Sequence, residues 1–120
     1  HNHVELIEQP VDKDDLDSLK AITHYSKIPI VADESCFNIS DVKNIVENKI
    51  ADVINIKLMK CGGITKAIEI LEYCSQAGVP VMMGSMLEGP TSIKYASSLA
   101  DTYKDVVKYV DLDSPLLYKI

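Results

Sequence analysis

Five short apolar runs divide the chain, and four of them close on charged residues. Val4-Glu5-Leu6-Ile7 leads to Glu8, Ile30-Val31-Ala32 to Asp33, and Val53-Ile54-Asn55-Ile56 to Lys57. Tyr109-Val110 leads to Asp111, with Asp113 two positions on. Glu8, Asp33 and Lys57 recur at intervals of about 25 residues, and Asp111 follows after about twice that. The fifth run, Val79-Pro80-Val81-Met82-Met83-Gly84-Ser85, fills the double gap. A strand, a loop, a helix and a second loop need about this many residues.

Helical spacing appears between the runs. Leu16, Leu19 and Ile22 step by three within a helix expected over Asp14–Tyr25, and acidic residues crowd its first turn, where the dipole favours them. Ser40 is a suitable N-cap for a second helix carrying Val42, Ile45 and Val46 on one face. Cys61-Gly62-Gly63 reads as a tight turn into a third helix. There Ile64, Ala67, Ile68, Leu71 and Cys74 form an apolar stripe, and Gly78 is a natural stop. Gly89-Pro90-Thr91 opens a fourth, with Ile93, Ala96, Leu99 and Ala100. The strands are expected over Val4–Ile7, Ile30–Ala32, Val53–Ile56, Val79–Met83 and Lys108–Leu112.

Alternating strands and helices predict an α/β fold with a parallel sheet of five strands, at least four helices and right-handed crossovers. Side chains alternate along a strand. Leu6 therefore shares a face with Glu8, Val31 with Asp33, and Asn55 with Lys57. If those faces turn inward, the three charges converge at one end of the sheet, which in a (β/α) barrel is the active-site end. At 120 residues the chain is too short for a closed eight-stranded barrel of roughly 250. An open sheet or a piece of a larger barrel remains.

Composition narrows the function classes. A content of 47% hydrophobic and 25% charged residues is ordinary for a globular domain. A net charge of −6 argues against nucleic acid as a partner. No apolar run approaches the roughly 20 residues of a membrane span, so no membrane partner is expected. Three cysteines without close pairs suit a reducing, cytoplasmic setting. Cys74 reads as a helix core residue, Cys36 and Cys61 as small loop residues.

Glu8 and Asp33 are hard oxygen ligands of the kind Mg²⁺ takes. A lysine beside a divalent cation should have a lowered pKa and could act as a base. A metal next to a base suits abstraction of a proton α to a carboxylate. An internal Glu–Lys–Asp ion-pair network fits the same three residues. Glu34 is either a support for Asp33 or a loop charge. Lys60 reads as a solvated loop residue, Glu88 as a helix-entry charge, and Met82, Met83 and Met86 as core or pocket wall. The acidic run at Asp12, Asp14, Asp15 and Asp17 reads as a solvated helix start.

Three segments carry a resemblance: Ile7-Glu8-Gln9-Pro10, Val31-Ala32-Asp33-Glu34-Ser35 and Asn55-Ile56-Lys57-Leu58-Met59-Lys60-Cys61-Gly62-Gly63-Ile64. In that order and separation they resemble the enolase superfamily, in its muconate-lactonizing enzyme subgroup. Gly84-Ser85-Met86-Leu87-Glu88 and Asp111-Leu112-Asp113 are similar to the dipeptide epimerases of the L-Ala-D/L-Glu type. The resemblance implies strands four to eight of a (β/α)8 barrel and a Mg²⁺-dependent epimerase of small dipeptides or other carboxylates. It implies that Glu8 and Asp33 hold the metal and that Lys57 is the base on one face of the substrate. It further implies that Asp111 and Asp113 hold the dipeptide's ammonium group and that Ser85, Met86 and Leu87 touch substrate through their backbone. The use of a lysine base with Mg²⁺ in this superfamily is itself a standard example of tuned acid–base chemistry. Family members also carry a capping domain, a first metal carboxylate and a partner lysine on earlier strands. The chain thus looks like the second half of an enzyme, inactive alone and prone to self-association or homo-oligomer formation through open sheet edges. Other activities of the subgroup (cycloisomerase, o-succinylbenzoate synthase, N-acylamino acid racemase) and a catalytically silent half-barrel are the competing expectations.

Overall fold

Alternation of side chains across one sheet sorts the core into two clusters. In the computed structural model residues 5–84 and 90–111 are described, with backbone alone at 59, 60, 90–92 and 111. The elements run β1 (Ile7–Glu8), α1 (Leu16–Tyr25), β2 (Ile30–Ala32), α2 (Ile39–Glu47), β3 (Val53–Ile56), α3 (Leu58–Cys61), α4 (Ile64–Ala77), β4 (Val81–Gly84), α5 (Pro90–Thr102) and β5 (Val107–Asp111). The strands lie side by side in chain order, and every neighbouring pair is parallel. Ile30, Ala32, Ile54, Ile56, Val81, Met83 and Val107 face the helices, packing with Leu19, Val42, Ile45, Leu71 and Ala96. Val31, Val53 and Met82 face the other way and gather with Leu6 and Tyr109. The inward-facing set predicted from the sequence is therefore a real second layer. Burying one such Leu or Ile side chain stabilises the fold by about 1.5–3 kcal/mol.

The register keeps this sorting intact up to the last strand. Val81 pairs with Val107, but Met82 pairs with Tyr109, so Lys108 is an extra residue at a bulge. Without that insertion Tyr109 would fall on the helix side. Beyond the bulge, Gly84 stands opposite Asp111.

Several boundaries differ from expectation. Only Ile7 and Glu8 form β1, so Glu8 lies within its strand. β4 starts at Val81 because the Val79 amide is committed to the Cys74 carbonyl at 2.9 Å and Pro80 has no donor to give. β5 begins one residue early, at Val107. Helix α1 begins at Leu16, since Asp15 caps it by accepting from the Ser18 amide at 3.1 Å. The cap of α2 is Asn38 and not Ser40. Asn38 accepts from the Asp41 amide at 2.9 Å, and the Asp41 carboxylate accepts from the Phe37 amide at 2.9 Å. That reciprocal arrangement satisfies two amides, where Ser40 could satisfy one.

One helix was not anticipated. Lys57 follows β3 in an extended conformation and stands at the N-cap position of the single turn of α3, without a side-chain capping bond. Gly62 and Gly63, at φ 95° and 106°, then turn the chain into α4. Side-chain-bearing residues strongly resist such angles. Cys36 lies in the loop between β2 and α2, as expected, whereas Cys61 closes α3; both are buried, as is Cys74. Burial, with a smaller effect of Cys36, pushes the Cys74 thiol up to about 12. Met82 and Met83 are core residues, as expected. No helix among the described residues is long and apolar enough to cross a membrane.

Candidate active site

Three neighbouring strands deliver the three charges to one end of the sheet. Glu8 pairs with Val31 and Val31 with Val53, so these occupy one level. Asp33 lies two residues beyond Val31, and Asn55 two beyond Val53. Lys57 lies one pleat higher still. The polar groups climb by one step from strand to strand, the stagger that barrel strands impose.

The geometry joins Lys57 to Asp33. Lys57 Nζ donates to Asp33 Oδ2 at 2.8 Å. The Asp33 side chain is 7% exposed and that of Lys57 20%. A buried carboxylate is costly unless paired, and Lys57 provides the charge. Glu8 is exposed and meets a different partner: Asn55 Nδ2 donates to Glu8 Oε2 at 3.4 Å. The Lys57–Asp33 half of the expected ion-pair network is present, while the described contact of Glu8 is with an amide.

Burial works against the Lys57 ammonium. The hydrogen bond and charge of Asp33, helped by Glu34 and Glu8, outweigh it and raise the Lys57 pKa above the ordinary lysine value. A lowered pKa thus does not come from these side chains by themselves; it depends on a cation drawing on the same carboxylates. Glu34 itself is exposed and contributes to Lys57 through its charge.

Glu8 and Asp33 are hard oxygen donors of the type a divalent cation takes. Glu8 ends β1 and Asp33 follows β2, at one end of the sheet. Among the described residues no group of three or more His, Cys, Asp or Glu side chains could hold a metal. Mg²⁺ accepts such a partial set because it keeps waters and substrate oxygens as further ligands.

A cleft of about 560 Å³ lies against the pair, lined by Asp33, Lys57, Glu34, Ser35, Lys13 and Phe37 among others. A larger hollow of about 1030 Å³ sits at the opposite end of the strands, near Asp52, Val79 and Pro80, and holds none of the three charges. The first cleft reaches Lys57 and Asp33 but not Glu8. Ser85, Met86, Leu87 and Asp113 lie outside the described residues, as do Glu88 and the side chains of Asp111 and Lys60. The Asp111 backbone ends β5 opposite Gly84, at the same end of the sheet as Lys57.

Three residues matter here that the sequence reading did not single out. Gln9 Oε1 accepts from the Asp33 amide at 2.9 Å and the Ser35 amide at 3.2 Å. Asn55 is 2% exposed and bonds Glu8. Gly84 leaves room for Asn55, since a Cβ there would stand 2.6 Å from Asn55 Oδ1. A polar residue inside an apolar run, as Asn55 is, was the available signal.

Known proteins are similar to this chain in sequence and fold. Residues 1–116 match the family model described as "Enolase C-terminal domain-like". The chain is 60% identical to the L-amino acid-D/L-Glu epimerase of Sulfurimonas denitrificans, over 97% of this chain and 34% of that protein. It is 46% identical to the hydrophobic dipeptide epimerase of Enterococcus faecalis, over 92% of this chain and 31% of that protein. It superposes with a TM-score of 0.89 and 43% identity on a substrate-liganded complex of the L-Ala-D/L-Glu epimerase from Bacillus subtilis, covering 94% of this chain and 31% of that one. A structure of the Enterococcus faecalis dipeptide epimerase with Mg and the dipeptide L-Leu-L-Tyr gives a TM-score of 0.88 at 43% identity, covering 93% and 32%. The chain spans about a third of the length of the curated relatives it matches.

Proposed function

Since the chain belongs to the enolase C-terminal domain-like family, we propose that the whole protein is a Mg²⁺-dependent isomerase that epimerises dipeptides of the L-Ala-D/L-Glu kind. The observation that supports this reading is the 2.8 Å contact of Lys57 Nζ with Asp33 Oδ2, which fits a base working beside a carboxylate that would hold the metal.

Glu8 and Asp33 would hold the cation. Bound there, it would stabilise the negative charge that develops on the substrate carboxylate as the α-proton leaves. Asp33 cannot give its full charge to two cationic partners. A cation held there would loosen the hold of Asp33 on the Lys57 proton and so favour Lys57 as a base. Lys57 Nζ then takes the α-proton from one face of the substrate carbon. Inversion needs a second base on the other face, which the family resemblance puts on an earlier strand. Asp111 and Asp113 would hold the free ammonium group of the dipeptide, while Ser85, Met86 and Leu87 line it with backbone.

Identity favours dipeptides over the nearest alternative substrates. The N-succinyl-L-Arg/Lys racemase of Bacillus cereus is 33% identical to this chain, against 60% for the Sulfurimonas denitrificans epimerase. Among the described residues, β1 and β5 are each paired on one side only. Such edges recruit strands. In the whole protein they would meet the remaining barrel strands, and this chain alone would self-associate. Three buried cysteines would suit a cytoplasmic setting.

The test is α-proton exchange in deuterated water by the intact protein against a dipeptide library. Exchange and epimerisation of L-Ala-L-Glu or a related dipeptide, dependent on Mg²⁺, is expected. Exchange confined to N-acylated amino acids would overturn the dipeptide assignment.

A further inference from the structure

Gln9 stands between Glu8 and Pro10 with φ 35°. That left-handed conformation is costly for a residue with a side chain, and a following proline pushes its neighbour toward extended backbone. Such strain persists only where the surroundings fix it. Gln9 is fixed at both ends of its amide. Oε1 accepts from the Asp33 and Ser35 amides at 2.9 and 3.2 Å, and Nε2 donates to Ser35 Oγ at 2.8 Å and to the Val11 carbonyl at 3.1 Å. The orientation of the amide is determined, because two N–H groups face one end and two oxygens the other. The Gln9 backbone amide adds a bond to the Val31 carbonyl at 2.8 Å, and Ser35 Oγ passes the restraint on to the Lys13 carbonyl at 2.7 Å.

These bonds converge on the turn that carries Asp33. We infer that Gln9 is a positioning residue for Asp33: its side chain fixes the turn from which the Asp33 carboxylate reaches Lys57 and, on the reading proposed above, the cation. Gln9 touches neither. It acts through the backbone of Asp33 and Ser35, joining the end of β1 to the end of β2 so that the Glu8 and Asp33 carboxylates keep one spacing. A glutamate in its place would keep the acceptor and lose both donors. A methionine would keep the length and lose everything else.

The experiment uses the intact protein with Gln9→Met, and reads Mn²⁺ binding by electron paramagnetic resonance beside kcat and the melting temperature. Removing residues that orient metal ligands typically weakens metal affinity or activity about 10–100-fold. Gln9→Met should weaken Mn²⁺ binding in that range. It should expose the Asp33 and Ser35 amides to hydrogen exchange, and it should regain part of its rate at high Mg²⁺. Unchanged Mn²⁺ affinity with both amides still protected overturns the inference. If Gln9→Met does not fold, Ser35→Ala decides. It removes one of the four side-chain bonds and should weaken Mn²⁺ binding severalfold, and no change overturns the inference. A wild-type protein that binds Mn²⁺ but exchanges no α-proton refutes the epimerase reading and leaves the Gln9 result to stand on the binding data. An active wild type with a Gln9→Met variant that binds Mn²⁺ normally refutes the Gln9 role alone.

Discussion

Asn55 occupies the space that a side chain at Gly84 would need. A Cβ on Gly84 would come within 2.6 Å of Asn55 Oδ1 and 3.2 Å of its Nδ2, and Asn55 Nδ2 donates to Glu8. A residue of β4 thereby bears on a contact of a residue on β1, through Asn55 on β3 and past β2. Gly84→Ala should force the buried Asn55 amide aside, at a cost of about 1–3 kcal/mol, the usual penalty for overpacking a filled interior. Thermal melting of the intact protein checks the cost, and Mn²⁺ titration checks whether Glu8 has lost its orientation. A melting point and an affinity both equal to wild type would show that Asn55 yields freely.

The two candidate caps of α2 separate cleanly. Asn38→Ala removes the acceptor of the Asp41 amide and should destabilise the protein by about 1 kcal/mol. Ser40, in the first turn and exposed, should tolerate alanine within about 0.5 kcal/mol. Denaturation midpoints of the two variants decide it, and the reverse order would restore Ser40 as the cap.

Much of this fold was legible because its signals are local. The five apolar runs became five parallel strands, since period-two alternation and charged strand ends survive any error of one or two residues at a boundary. Glu8, Asp33 and Lys57 were legible for the same reason: each sits on the inward parity of its run. Helix α3 was not, because four residues cannot display a helical period. The start of β4 was misjudged because the Val79 amide turns back to Cys74, a bond that apolar composition does not announce. Gln9 and Asn55 are harder to read because their roles lie in side-chain contacts spanning 24 and 47 positions along the chain; the polar Asn55 inside an apolar run marks a position but not its partner.

Specificity should rest on the end of β5. Charge-assisted hydrogen bonds contribute about 1.5–3 kcal/mol each. In the intact protein, Asp111→Asn or Asp113→Asn should therefore cost roughly tenfold to a hundredfold in kcat/KM on dipeptides with a free ammonium group. N-acetylated dipeptides should lose much less, because they bring no cation to that pair. Steady-state kinetics on both substrate types measures the difference, and equal losses on both would remove the ammonium-binding role.

Lys57, held by Asp33, would be the base on one face of the substrate. Lys57→Ala should leave dipeptide binding largely intact, since a base acts in the transition state. The decisive measurement is α-proton exchange in deuterated water by the intact Lys57→Ala protein, with each stereoisomer of the dipeptide supplied separately and the fold checked by circular dichroism. Exchange should vanish from one stereoisomer and persist from the other. Undiminished exchange from both would contradict the assignment of Lys57 as a base.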